Sequence, residues 1–203
     1  MDPYAIAIRK YFIGDIKNAI KNFMLAAELY AKKGEQEKSK EAYYYIGKIL
    51  LENTEDEKWR RNIDTGELIK RYVKVTIYFK LAEKHEEAAH IIRRIEEIVH
   101  TTSKKCGIKL KALLIFLKYL TEETKENLLD EINNLLYRVD SMKIWKKKGM
   151  LGPYILVLTT KNLLTNRKET AKILWIRNRD HLYKSYKDIW NEISLLVKKT
   201  LGI

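Results

Sequence analysis

GDIKNAIKNFMLAA, residues 14–27, and AYYYIGKIL, residues 42–50, decide how the rest of the chain is read. In the first stretch Gly14 is followed by small Ala19, aromatic Phe23 and small Ala26, offsets that share one side of a helix. In the second, Tyr43, Ile46, Gly47 and Leu50 recur at steps of three, one and three. Between them ELYAKKGEQEKSKEA, residues 28–42, carries the turn-like pair Lys33-Gly34. Small side chains let two helix backbones approach, and aromatic rings fill the space beside them. The two stretches therefore predict helices folded back on one another.

These offsets resemble the tetratricopeptide-type (TPR) helical hairpin over about residues 3–52. Gly14, Ala19, Phe23 and Ala26 match the turn and second-helix positions of that pattern. Tyr43, Ile46, Gly47 and Leu50 match the first-helix positions of the next repeat. A weaker echo at Phe79, Ala88, Ile92 and Ile95 lacks the turn glycine. The resemblance implies an all-α, right-handed helical-hairpin stack, a TPR-like α-solenoid, over residues 1–140. A basic, aromatic-rich helical region, residues 141–203, is expected to pack on it. It also implies a concave groove for a protein partner, lined by first-helix residues Tyr4, Ile8, Tyr11, Tyr44 and Lys48. Tyr45 stands where the carboxylate-capturing version of such a groove wants an asparagine, so a peptide C-terminus is not the expected ligand. The same spacing also suits an ordinary helical hairpin burying small and aromatic residues, and a fold does not by itself give a function.

Composition agrees with helices. Two prolines and eight glycines in 203 residues leave few interruptions, and a 46% hydrophobic content provides for a substantial core. The single Cys106 excludes an internal disulfide framework and fits a reducing compartment. The opening MDPYAIAIRKYF has an acid at position two and Arg9-Lys10 inside it, unlike a secretory signal. No apolar run is long enough to span a bilayer. The expected location is the cytoplasm, without membrane insertion.

Along the chain, Asp15 is placed to cap a helix that Gly34 ends, and another begins near Glu35. ENTEDEKWRRNIDTGE, residues 52–67, reads as a loop or an irregular helical passage, with Asp64 and Glu67 as the next start signal. Residues 68–80 and 154–160 have β-branched stretches that suit strands locally. The stripe Leu68, Tyr72, Val75, Phe79 and its helical neighbours favour helix. IKLKALLIFLKYL, residues 108–120, is apolar around most of its circumference, as a buried central helix would be. Thr121 can cap the helix after it. WKKKGMLGP, residues 145–153, reads as a turn or hinge, and a final helix is expected from about His181.

The net charge of +13 is uneven. Residues 1–100 carry 19 Lys+Arg against 17 Asp+Glu, whereas residues 101–203 carry 21 against 10. Lys143, Lys146, Lys147 and Lys148 surround Trp145. Arg167, Lys168, Lys172, Arg177, Arg179, Lys184 and Lys187 are interleaved with Trp175, Tyr183 and Tyr186. Cations neutralise phosphates and exposed rings stack on bases, so RNA or a ribosome is one partner class for this third of the chain. An acidic protein is the other, since the same field would steer it. DNA is a lesser reading, with residues 154–164 and 167–178 as a helix-turn-helix directing Arg167, Lys168 and Lys172 at a duplex. The plain alternative is a solvated basic face over core aromatics.

Motifs for chemistry are missing. Neither glycine-rich phosphate loop can be written from these glycines. His85, His90, His100 and His181 lack metal-ligand spacing, and the carboxylates come as adjacent pairs on charged helices. The expectation is a non-enzymatic protein with no catalytic residues, cofactor or metal.

Overall fold

The structure, a computed structural model, describes residues 2–60, 63–101, 107–121, 125–142 and 149–203, and these are all-helical with no strand among them. They fall into two compact units, residues 1–98 and 99–203. The region expected to end at residue 140 thus takes in the whole first unit and part of the second.

In the first unit α1 (Pro3–Phe12), α2 (Ile16–Lys32), α3 (Gln36–Arg60) and α4 (Thr65–Leu81) each pack on the next, and α5 (His85–Thr101) follows. Local signals set the boundaries. The Asp2 carboxylate accepts from the Tyr4 N–H at 3.1 Å with Pro3 in the first turn, and the Asp15 carboxylate caps α2. Asp64 accepts from the Gly66 N–H at 3.0 Å to open α4, as expected.

One connector recurs. Gly14 and Gly34 adopt φ of 76° and 80°, and the N–H of the residue after each reaches back to a carbonyl five positions earlier. These bonds run from Asp15 to Lys10 and from Glu35 to Tyr30, both at 2.9 Å. Glu83 and Asn166 make the same turn at φ 59°, with Lys84 bonded to Phe79 at 2.8 Å and Arg167 to Asn162 at 2.7 Å. The turn missing its glycine is therefore built all the same, with a side chain held in the left-handed region.

The small and aromatic positions are core. Ala19, Phe23, Ala26, Tyr43 and Ile46 are buried. Phe23 stacks on Tyr45 with ring centroids 5.4 Å apart, and Tyr4 meets its edge at 5.4 Å. Gly47 lies against the Phe79 ring, which a Cβ would approach to 2.7 Å. Leu50 is half-buried rather than sealed in.

Residues 52–60 take the helical of the two expected forms, and several of their carboxylates are met by neighbours. Glu55 accepts from Tyr72 Oη and Arg94 at 2.7 Å each, and Glu57 pairs with Arg71 at 2.8 Å. Thr54 is buried, its hydroxyl donating to the Leu50 carbonyl at 2.6 Å.

In the second unit α6 (Ile108–Leu120) and α7 (Lys125–Asp140) pack on α8 (Leu151–Leu164), which also receives α9 (Lys168–Arg177) and α10 (Arg179–Tyr186). Residues 112–118 of α6 are buried on every side, as a central helix requires. Gly152 and Pro153 are not a hinge: both are buried in the first turn of α8, where proline loses no helical bond. A Cβ on Gly152 would fall 2.6 Å from the His181 carbonyl and against Ser185 Oγ, so α8 and α10 touch backbone to backbone. The last helix is broken into α10, a 3-10 turn Lys187–Ile189 and α11 (Trp190–Leu201). Thr121 closes α6, its hydroxyl donating to the Lys118 carbonyl at 2.9 Å; Glu122 and Glu123 lie outside the described residues.

Candidate binding surfaces

The expected groove residues sit on α1 and α3, which side-chain hydrogen bonds connect. Tyr4 Oη donates to Glu41 at 2.8 Å, and Tyr11 Oη donates to Glu52 at 2.6 Å. Tyr4 is clamped by Phe23, Tyr30 and Tyr45; burial first, then the Glu41 carboxylate, pushes its phenol well above the ordinary range. Glu52 likewise raises Tyr11. Both hydroxyls are thus spent inside the fold. Ile8 is half-buried beside them.

Tyr44 and Lys48 differ. Tyr44 is half-buried at the wall of an open pocket of 340 Å³, lined also by Glu37, Lys40, Glu41, Tyr45, Ala82 and Lys84. The Lys84 and Lys48 ammonium groups lie 5.4 and 5.8 Å from its ring centroid. Lys40 bridges Glu37 and Glu83, each at 2.8 Å, and these carboxylates raise its pKa and hold it as an ammonium. Spacing along α3 makes Glu37, Lys40, Glu41 and Tyr44 legible as one face. Lys84 is supplied from beyond the left-handed Glu83 turn, and no spacing rule reaches it.

The basic residues divide. Lys143, Lys146, Lys147 and Lys148 lie outside the described residues. Arg167, Lys168, Arg177, Arg179, Lys184 and Lys187 are exposed on or beside α9 and α10, and no ion pair engages them among the described residues. Lys172 is half-buried and paired with Glu169 at 3.0 Å. The aromatic residues read alongside them are mostly core: Trp175 and Trp190 stack at 5.4 Å with rings 9° apart, 2% and 7% exposed. Tyr186 is buried too, its hydroxyl donating to the Lys109 carbonyl at 3.1 Å, and burial raises its pKa. Tyr183 remains partly exposed, edge-on to Trp190.

Among the described residues no cluster of His, Cys, Asp or Glu is arranged to hold a metal ion, and no helix is long and apolar enough to cross a membrane. The chain matches no protein-family model, no curated protein and no solved structure.

Proposed function

We propose that the chain is a non-enzymatic binding and scaffold protein, a TPR-like α-solenoid that holds a protein segment in the groove of its first unit. A second macromolecular contact is made by the basic surface of α9 and α10. The open pocket at Tyr44 carries this reading: an aromatic ring of α3 flanked by two ammonium groups, in a lining that continues through Ala82 and Lys84 at the end of α4. The recurring left-handed connector supports the hairpin-stack architecture, since the same turn ends α1, α2 and α4. A binding role also suits the chemistry of the pocket. Lys40 is fixed as an ammonium and Glu41 is engaged by Tyr4, so neither is poised as a free base.

Random-peptide display panned on the full chain tests this, with a Tyr44→Asp, Lys84→Glu variant as the counter-screen. Peptides retained by the parent and lost on the variant are the expected outcome. Failure to enrich any peptide, or equal retention by both proteins, overturns the groove.

A second reading makes the chain an RNA- or ribosome-associated factor, or a DNA-binding one, through the cations of its last third. It is favoured by six exposed basic side chains without ion pairs. Binding to mixed RNA that weakens steeply with salt would support it, and absence of binding at low salt removes it.

A further inference from the structure

The turn between α1 and α2 carries apolar side chains that the first unit leaves uncovered. Phe12 and Ile13, the last residue of α1 and its C-cap, are 80% and 72% exposed. Nothing stands within 4 Å of where a Cβ on the adjacent Gly14 would lie, so the turn projects into open space. Trp59, 84% exposed, extends the same end of the unit. Its place follows from helix geometry. Tyr4 bonds to Glu41 and Tyr11 to Glu52, so α1 and α3 advance in the same sense. Trp59 follows Glu52 by two turns of α3, which returns it to within about 20° of the same arc and about 10 Å further along, past the point where α1 stops.

Cations border this tip. Arg9 lies one turn before Phe12, and Lys17 and Lys21 occupy the first two turns of α2. All three are exposed, as is Lys58 beside Trp59, and no ion pair engages them among the described residues. The acids nearest the turn are already taken, Asp15 by Lys10 at 3.2 Å and by the cap of α2, Glu52 by Tyr11.

We infer that this end of the first unit adsorbs to an anionic lipid surface, with Phe12, Ile13 and Trp59 entering below the headgroups and the bordering cations meeting their phosphates. The inference is independent of the Tyr44 groove and of the α9 and α10 cations, and it calls for no membrane-spanning helix. Shape selects the occupant. The apolar residues stand on a convex turn and a helix end rather than around a hollow, and they fall far short of the roughly 20–30 residues a side of a stable protein interface. Fluid lipid closes around such a projection without having to match it. Aromatic rings beside basic groups are the composition of interfacial anchors, whose binding sums apolar burial and attraction to anionic lipid. Single-stranded nucleic acid also uses rings, but Ile13 offers no face on which a base can stack.

Flotation of the full chain with vesicles is the test, phosphatidylcholine alone against equal parts phosphatidylcholine and phosphatidylserine. The chain should float with the mixed vesicles and several-fold less with phosphatidylcholine alone. Phe12→Ser with Ile13→Ser should weaken association about tenfold, Trp59→Ser about fivefold, and Lys17→Glu with Lys21→Glu about tenfold. Circular dichroism checks the fold of each variant, with Ile13→Ser alone in reserve should the double serine variant unfold.

Absence of flotation overturns the inference. Flotation indifferent to the tip substitutions overturns it too, and its loss in Arg177→Glu with Arg179→Glu would then assign the vesicles to the cations of the second unit. Self-association in sedimentation velocity that needs Phe12 and Ile13, without vesicle binding, would replace lipid by a second copy of the chain. Single-stranded RNA binding that needs Phe12 and Trp59, again without vesicle binding, would replace it by nucleic acid.

Discussion

The two units differ in how much of their charge is met by neighbouring helices. In the first, acids and bases are spent on neighbouring helices: Glu55 is shared by Tyr72 and Arg94, Arg71 by Glu57 and Glu67, Lys40 by Glu37 and Glu83. In the second, the C-terminal helices are joined by close apolar contact, Gly152 against α10 and Trp175 against Trp190, while cations point outward. A near-neutral half thus builds its own framework from ionic and phenolic bonds. The basic half has such bonds as well, Lys118 with Glu131 at 3.0 Å and the Tyr186 hydroxyl with the Lys109 carbonyl at 3.1 Å, but leaves six cations on or beside α9 and α10 exposed without an ion pair among the described residues.

The sharpest break in that contrast would come at Gly152. Gly152→Ala places a methyl group against a backbone carbonyl that cannot rotate away, and should cost about 2–3 kcal/mol by urea denaturation. A cost below that of an ordinary helical substitution would mean the α8–α10 approach is looser than drawn. Next is Glu55→Ala in the first unit, which strands the Tyr72 hydroxyl and Arg94 together and should cost about 1–2 kcal/mol, partial exposure limiting the loss.

Alkaline pH probes the framework of the first unit by a different route. Burial first, then Glu55, lifts Tyr72 from 10.0 to about 12, and burial with Asp2 lifts Tyr30 to about 12. A phenol whose folded pKa exceeds its unfolded one contributes stability in full below pH 10 and loses it as pH climbs through 12. Denaturation midpoints should therefore fall across that window, and Tyr72→Phe should flatten the slope. A profile unchanged by Tyr72→Phe would remove this phenol from the framework. The smallest effect belongs to Arg177→Glu with Arg179→Glu: stability should stay within about 0.5 kcal/mol while binding to anionic partners through α9 and α10 is lost. A clear loss of stability would show those arginines to be structural.

Much of the helical order was legible because it depends on local chemistry. Asp15, Gly34 and Asp64 act where their types predict, and the small and aromatic row from Ala19 to Ile46 is buried as its spacing implies. For residues 52–60 high charge leaves loop and irregular helix both open, since the partners Arg71 and Arg94 that decide between them are distant in sequence. Gly152-Pro153 resembled a hinge because composition cannot distinguish a glycine that bends from one that admits a neighbour. Of the candidate surfaces, Tyr44 and the α9 cations were legible by type and position. Lys84 in the pocket was not, and neither was the mutual burial of Trp175 and Trp190, since each depends on which helices meet.

The recurring left-handed connector has a kinetic corollary. It closes on carbonyls only five positions back, and α1 to α4 each rest on the helix adjacent in sequence, so native contacts in the first unit are short-range along the chain. Such topology keeps the entropic barrier to the transition state low, and refolding of this unit should fall on the microsecond-to-millisecond scale typical of helical bundles.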